Sequence, residues 1–286
     1  MFRSADKKYL YWSSKVDKGK TVTCLKMLNT APAAVEDLEE RTTDSFEPFQ
    51  TQNMLVASPL MASIHSSVER LASSKAPIII LGETGVGKEL IAHELHDLSD
   101  RSGKPFVAVN CATIPEALHE SELFGHVRGA FTDAYITKPG KFLLANKGTI
   151  FLDEITELSY NSQGKLLRVL QEMVVERLGD TREIPIDVRV ITATNRNLKY
   201  EVSRNTFRTD LLHRIYCLQI TIPPLRERKE EIPHLVGLFL NKYCGEEQRI
   251  LRIGKDVMVL LAEYNWPGNI RELENDISRL IVLRES

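Results

Sequence analysis

Five short apolar runs stand out along the chain: Ile78-Ile79-Ile80-Leu81, Phe106-Val107-Ala108-Val109-Asn110, Gly148 to Glu154, Asp187 to Asn195, and Leu218 to Ile222. Runs that are apolar at consecutive rather than alternate positions predict strands buried on both faces, as in a parallel sheet covered by helices. Between them the period lengthens. Glu89 to Leu95 repeats its apolar residues at helical spacing, and Pro59 to Leu71 puts Met61, Ile64, Val68 and Leu71 on one face. After Pro223-Pro224 only helical periods remain, over Ile232 to Tyr243, Lys255 to Tyr264 and Asn269 to Leu283, with Pro267-Gly268-Asn269 as turn and cap before the last. The pattern predicts an α/β fold, a five-stranded parallel sheet between helices, followed by a small all-helical domain. The expected divisions are an N-terminal segment or linker at 1–53, the α/β domain at 54–222 and the helical domain at 223–286. Within the first, Ala31 to Glu40 reads as a short acidic helix and Asp44 to Asn53 as a polar linker.

Composition narrows the function classes. A net charge of −2 and a pI near 6.4 give no global basic signature for gripping nucleic acid. Cys24, Cys111, Cys217 and Cys244 are widely spaced and form no C-x-x-C pair, which argues against a zinc site or disulfide framework. No apolar run approaches the roughly 18 residues of a membrane span, and Arg3, Asp6, Lys7 and Lys8 precede no apolar signal core. The expectation is a cytoplasmic protein with no membrane partner.

Chemistry enters at the end of the first run. Gly82-Glu83-Thr84-Gly85-Val86-Gly87-Lys88 follows a strand and opens a helix, the context a phosphate-binding loop requires. The glycines let backbone N–H groups turn inward around a phosphate, and the lysine ammonium reaches the terminal phosphates. Glu89 stands where a hydroxyl commonly serves magnesium, so the metal must lean on another carboxylate. That carboxylate is Asp153. The strand Ile150-Phe151-Leu152-Asp153-Glu154 delivers two acids to its C-terminal edge, where open α/β sheets bind ligands. Asp153 is expected to hold Mg2+ and Glu154 to polarise the water that attacks the γ-phosphate of ATP.

Three further residues keep two readings at this stage. Asn195, at the tip of the next strand, either contacts the γ-phosphate and its water or caps the turn before Leu198. Arg208 and Arg214 either form surface salt bridges or reach a neighbouring subunit's nucleotide.

Taken together, several ordered segments resemble the central AAA+ domain, a P-loop NTPase, of sigma-54-dependent transcriptional activators, bacterial enhancer-binding proteins of the nitrogen-regulator type. The segments are Gly82 to Glu89, Asn110-Cys111-Ala112, Glu120 to His126, Gly129 to Ala134, Gly148 to Ile155, Lys165 to Gln171, Phe207 to Leu211, Pro223 to Arg228 and Asn265 to Leu273, and the resemblance spans roughly Leu55 to Leu283. It implies ATP hydrolysis at the subunit interfaces of a ring, usually a hexamer, and remodelling of the sigma-54 RNA polymerase holoenzyme from the closed to the open promoter complex. In that family Glu follows the loop lysine, as Glu89 does here. The resemblance makes Arg208 and Arg214 trans-acting fingers, Arg271 a nucleotide sensor on the lid, and Asn110 the residue that couples Glu154 to the phosphate state.

The same resemblance identifies Gly129-Ala130-Phe131-Thr132-Asp133-Ala134 with the loop G-A-F-T-G-A that presses on sigma-54, Phe131 and Thr132 being the touching residues. Asp133 replaces a glycine. Aspartate adopts φ > 0 only at a cost and adds a negative charge, two ways in which the shape and contacts of the loop can differ from those of the glycine form. Two outcomes follow: a tolerated variant, or lost coupling that leaves a nucleotide-binding regulatory protein or another AAA+ remodeller. No DNA-binding helix-turn-helix is expected within these residues.

Overall fold

The computed structural model describes residues 9–17, 20–28, 46–244 and 250–283. They divide into two units, an α/β unit of Thr51–Met54 and Ser63–Pro223, and a second unit of the described residues of Met1–Gln50, Leu55–Ala62 and Pro224–Ser286.

The α/β unit is built on the five expected strands, β1 (Ile78–Leu81), β2 (Phe106–Asn110), β3 (Thr149–Asp153), β4 (Arg189–Thr194) and β5 (Leu218–Thr221). They are all parallel, in the order β5-β1-β4-β3-β2. The central strands explain the consecutive apolar runs. Ile78, Ile79 and Ile80 are fully buried, as are Ile150, Leu152 and Ile191, and each such side chain contributes about 1.5–3 kcal/mol by leaving water. Edge strands β2 and β5 are half exposed. Arg189 enters this interior at the foot of β4. Its guanidinium donates to the carbonyls of Leu95 (2.7 Å) and Leu71 (3.0 Å), each near the end of a helix, and burial pulls its pKa below the usual guanidinium value.

Between β2 and β3 the chain makes an excursion that carries the Gly129–Ala134 loop. A short helix, His119–Phe124, runs into a two-residue strand Gly125–His126 that pairs with Lys138–Pro139. The base of this excursion depends on glycine. A Cβ on Gly140 would lie 2.3 Å from the carbonyl carbon of Phe124, and one on Gly125, at φ +85°, 2.6 Å from Gly140 N. Gly140→Ala is therefore expected to destabilise the unit by about 3 kcal/mol, read as a lower denaturation midpoint in urea. An unchanged midpoint would contradict the close approach. A second hairpin, Val174–Glu176 with Glu183–Pro185, lies outside the five expected strands.

In the second unit, the helices Ile232–Cys244, Lys255–Glu263 and Asn269–Leu283 pack around Val236, Val257, Trp266, Leu273 and Ile277. The expected cap is made differently. Asn269 sits at φ +55° with its Oδ1 accepting from Leu225 N (2.8 Å), and the Glu272 carboxylate takes the Gly268 N–H (2.8 Å). A buried ion pair holds the start of the unit: Arg228 donates to Glu231 (2.9 Å), whose other oxygen accepts from Ser58 Oγ (2.5 Å).

Two sequence expectations change here. Within the expected N-terminal segment or linker at 1–53, residues 9–17 and 20–28 form strands. Tyr9–Asp17 and Lys20–Leu28 pair as an antiparallel hairpin, and Lys20–Leu28 also pairs in parallel with Ile250–Ile253, a strand among the helices. The alternation Thr21-Val22-Thr23 carries the β-propensity that makes this ladder favourable. Leu55–Ala62, expected at the start of the α/β domain, go with the second unit, and Phe49–Gln50 pairs with Leu55–Val56 within it. The expected acidic helix at 31–40 lies outside the described residues.

Candidate active site

The register of the sheet assembles the site. Leu81 of β1 is level with Thr194 of β4 and Thr221 of β5, and Asp153 of β3 is level with Asn110 of β2. The phosphate loop, the two acids and Asn195 therefore leave the sheet at one edge. Gly82 N donates to Thr194 O (3.3 Å), which ties the loop to β4. A Cβ on Gly82 would meet Ile222 O and Val86 Cγ2 at 3.0 Å. Gly85 and Gly87 have φ +80° and +103°, the left-handed turn that lets the loop curl before the helix Lys88–Asp97 begins.

Lys88 is buried, with its ammonium donating to Gly82 O (3.1 Å) and to Glu154 Oε1 (3.3 Å). Glu154 has φ +50° and ψ +52°, a left-handed conformation costing about 1–3 kcal/mol for a residue with a Cβ. The turn brings its carboxylate back over the loop: Oε2 accepts the Asn195 N–H (3.3 Å) while Oε1 meets Lys88. Glu154 N in turn donates to Asp153 Oδ1 (3.0 Å). Burial pushes the Asp153 carboxyl above the usual carboxylate value; the Lys88 charge opposes this and the Glu154 carboxylate adds to it.

Asn195 bridges the strands, its Nδ2 donating to Thr84 Oγ1 (2.9 Å) in the phosphate loop. The competing capping role falls instead to Asn197, whose Oδ1 accepts from Lys199 N (3.0 Å) and Tyr200 N (3.3 Å). Asn110 stands beside Asp153 in register, and its Oδ1 accepts from Ala112 N (3.0 Å), fixing the turn after β2. The next residue, Cys111, is fully buried. Desolvation, then Asp153 and Glu154, raise its thiol pKa to about 12, so it stays an unreactive thiol. Glu89 is exposed in the first turn of its helix.

The two arginines lie along the helix Tyr160–Glu172. Arg208 makes a two-point pair with Asp210 (3.0 and 2.8 Å), sits 5.2 Å from the Tyr160 ring centre, and its backbone N–H donates to Gln163 Oε1 (2.9 Å). Arg214 donates through Nε (3.2 Å) and Nη2 (2.8 Å) to Leu170 O. A cleft of about 380 Å³ opens beside Arg208, with Lys165, Arg168 and Glu176 on its walls. Arg271 belongs to the second unit, exposed in the first turn of Asn269–Leu283.

The loop Gly129–Ala134 closes on itself by a bond from Gly129 N to Ala134 O (2.8 Å) and from Ala134 N to Phe131 O (3.0 Å). Ala134 is buried, Thr132 and Asp133 are exposed, and Phe131 remains 37% exposed. The glycine that needs freedom is Gly129, at φ +84°; Asp133 is not among the residues with φ > 0. The expected left-handed strain at Asp133 is therefore absent, and only its charge distinguishes it. The loop also has a neighbour that sequence reasoning missed. Gly179, at φ +76° in the tip of the 174–185 hairpin, comes so close that a Cβ there would meet Ala130 Cβ at 2.8 Å. The signal was the Gly179-Asp180 pair set between Val174-Val175 and Ile184, a hairpin pattern.

Comparison with known proteins places this geometry among relatives. Residues 54–221 match the family described as the sigma-54 interaction domain, and residues 226–286 match the AAA+ ATPase lid domain. The anaerobic nitric oxide reductase transcription regulator NorR of Salmonella arizonae is 47% identical over 261 residues, covering 87% of this chain and 50% of that protein. NorR of Citrobacter koseri is 46% identical, with the same coverage. NtrX from Brucella abortus, crystallised in complex with ATP, superposes with a TM-score of 0.74 at 37% identity, over 80% of this chain and 50% of that one. The closed state of Hsp104 with ATPγS and casein, at 16% identity and a TM-score of 0.56, shares the fold, over 78% of this chain and 44% of that one. The chain spans about half the length of the curated relatives it matches.

Proposed function

The chain belongs to the sigma-54 interaction domain family, its α/β unit being an AAA+ ATPase domain, and from that premise we propose that it uses ATP hydrolysis to convert the closed promoter complex of sigma-54 RNA polymerase into an open one. The observation that carries the reading is the meeting of Lys88, Glu154, Asn195 and Thr84 at one sheet edge, in the same unit as an exposed Phe131. Such an edge binds and hydrolyses a nucleoside triphosphate. An apolar ring at a solvent-facing tip is suited to contact with another protein.

Residues Gly82–Glu89 cradle the phosphates through backbone N–H groups, and the Lys88 ammonium neutralises the terminal phosphates. Glu154, already aimed across the loop mouth, orients and deprotonates the attacking water, with Asn195 fixing the carboxylate and the loop relative to each other. Among the described residues no cluster of three or more acidic, His or Cys side chains could hold a metal alone. Mg2+ binds through one or two carboxylates, phosphate oxygens and water, and Asp153, at the end of β3, is the residue that would hold it. When bound, the ion supplies charge neutralisation on the phosphates. Asn110, level with Asp153 on the neighbouring strand, couples Glu154 to the phosphate state. Arg208 and Arg214 act on the nucleotide of a neighbouring subunit in a ring, for which the hexamer of the family is the expected form, and Arg271 reports from the lid.

Phe131 and Thr132 touch sigma-54. Because Asp133 carries no left-handed strain, its charge alone is expected to matter. Asp133→Gly is expected to change sigma-54-dependent transcription in a purified assay by no more than about fivefold, the scale of one exposed charge of about 1 kcal/mol. Inactivity of both forms, with ATP turnover intact, would overturn the sigma-54 reading in favour of another AAA+ remodeller.

A further inference from the structure

We infer that His119 and His126 are positioning residues that carry the state of the hydrolytic edge to Phe131, an inference that rests on the function proposed above. His119 opens the helix His119–Phe124 and is 2% exposed. Its ring is held from two sides. Nε2 lies 3.2 Å from Cys111 O, and Nδ1 lies 3.3 Å from Ser159 N. A carbonyl only accepts and a backbone N–H only donates, so these two contacts assign the donor role to Nε2 and the acceptor role to Nδ1.

The two partners are not arbitrary. Cys111 follows Asn110, which is in register with Asp153. Ser159 ends the turn that begins at Glu154 and caps the helix Tyr160–Glu172, its Oγ accepting from Ser162 N (3.3 Å). His119 therefore spans the two segments that leave the sheet beside the hydrolytic acids. A movement of either segment reaches the helix through a planar ring with few ways to yield.

From the helix the path continues without a gap. Ser121 Oγ lies 2.8 Å from His126 Nδ1, both residues being buried. The His126 ring meets Phe131 edge to face, with centres 5.0 Å apart at 66°. The backbone of His126 is held on the other side by its bridge to Leu178 in the 174–185 hairpin. Every link is a hydrogen bond, a short helix or a ring contact, the kind of contiguous packing that transmits a discrete rearrangement. Neither histidine touches the phosphate loop, so neither is a catalytic residue.

The test is backbone hydrogen exchange across residues 127–136, compared between ADP and a non-hydrolysable ATP analogue, in the parent chain and in His119→Asn and His126→Leu. Asparagine retains an acceptor near Nδ1 for Ser159 N but cannot reach Cys111 O; leucine retains bulk and loses both the Ser121 bond and the ring edge. The exchange difference between the two nucleotides is expected to fall about three- to tenfold in each variant, with ATP turnover within about threefold of the parent. His119→Gln, which restores a donor near Nε2, is expected to recover part of the response. Should His119→Asn fail to fold, as loss of turnover would show, His126→Leu decides alone. Full parental exchange differences in the folded variants, or a parent loop indifferent to nucleotide, would overturn the inference. A loop that responds in the parent and not in the variants, in a chain that fails to act on sigma-54, would sink the proposed partner and leave the inference standing.

Discussion

Replacing Glu154 by alanine is expected to lower ATP turnover about 10²- to 10⁴-fold, the range for loss of a general base, while ATP affinity changes only a few-fold. The separation follows from the geometry. Phosphate binding draws on the Gly82–Lys88 backbone and the Lys88 ammonium, which alanine at 154 leaves in place. Lys88 keeps its bond to Gly82 O (3.1 Å), and removal of the neighbouring carboxylate frees its charge for phosphate. Water activation, by contrast, has Glu154 as the acid aimed across the loop. Asp153 is engaged by the Glu154 backbone N–H (3.0 Å), and the role proposed for it, holding Mg2+, leaves the proton transfer to Glu154. Glu154→Gln, which keeps the shape and the acceptor for Asn195 N but cannot take a proton, is expected to lose turnover nearly as far. Single-turnover hydrolysis with parallel nucleotide titration checks both. Turnover within tenfold of the parent in either variant would remove Glu154 from its role.

The second large effect concerns Arg208. Loss of a finger arginine is expected to cost about 10³- to 10⁵-fold in hydrolysis, although in a single chain Arg208 is paired with its own Asp210. That pair raises the Arg208 pKa through the Asp210 hydrogen bond and holds the Asp210 carboxyl below its usual value. The guanidinium thus stays charged and is presented on the surface beside Tyr160. An exposed pair of this kind contributes about 0–1 kcal/mol, small enough to be exchanged for a phosphate. Arg208→Ala and Lys88→Ala are each expected to be inactive alone and to regain activity when mixed, because the first supplies an intact loop and the second an intact arginine. A mixture as inactive as its parts would show that Arg208 does not act across an interface.

Much of the α/β unit was legible in sequence because its strands are buried on both faces, and such strands read as unbroken apolar runs. The phosphate loop was legible for a different reason: its spacing is a steric requirement of wrapping backbone around phosphate. What could not be read depended on contacts distant in sequence. The Lys88–Glu154 pair joins residues brought together only by the register of β1, β4 and β3. Asn195 kept two readings until Asn197 was seen to take the cap. The hairpins at 125–139 and 174–185 are ladders of two and three pairs, too short for alternation to declare itself. The conformation at Asp133 was not legible because a motif position does not state its φ; in the folded loop the left-handed residue is Gly129. The place of the N-terminal strands was not legible because one of them, Lys20–Leu28, pairs with Ile250–Ile253, more than 200 residues away.

The most direct measurement of the central claim is melting of a sigma-54 promoter, followed by the fluorescence of a base analogue placed at the start site, in a mixture of sigma-54 RNA polymerase, this chain and nucleotide. The account predicts a rise in fluorescence with ATP, none with ADP, and none when Glu154 is replaced by alanine. Melting that proceeds with ADP or with the Glu154 variant, or its absence while the parent chain hydrolyses ATP, would contradict it.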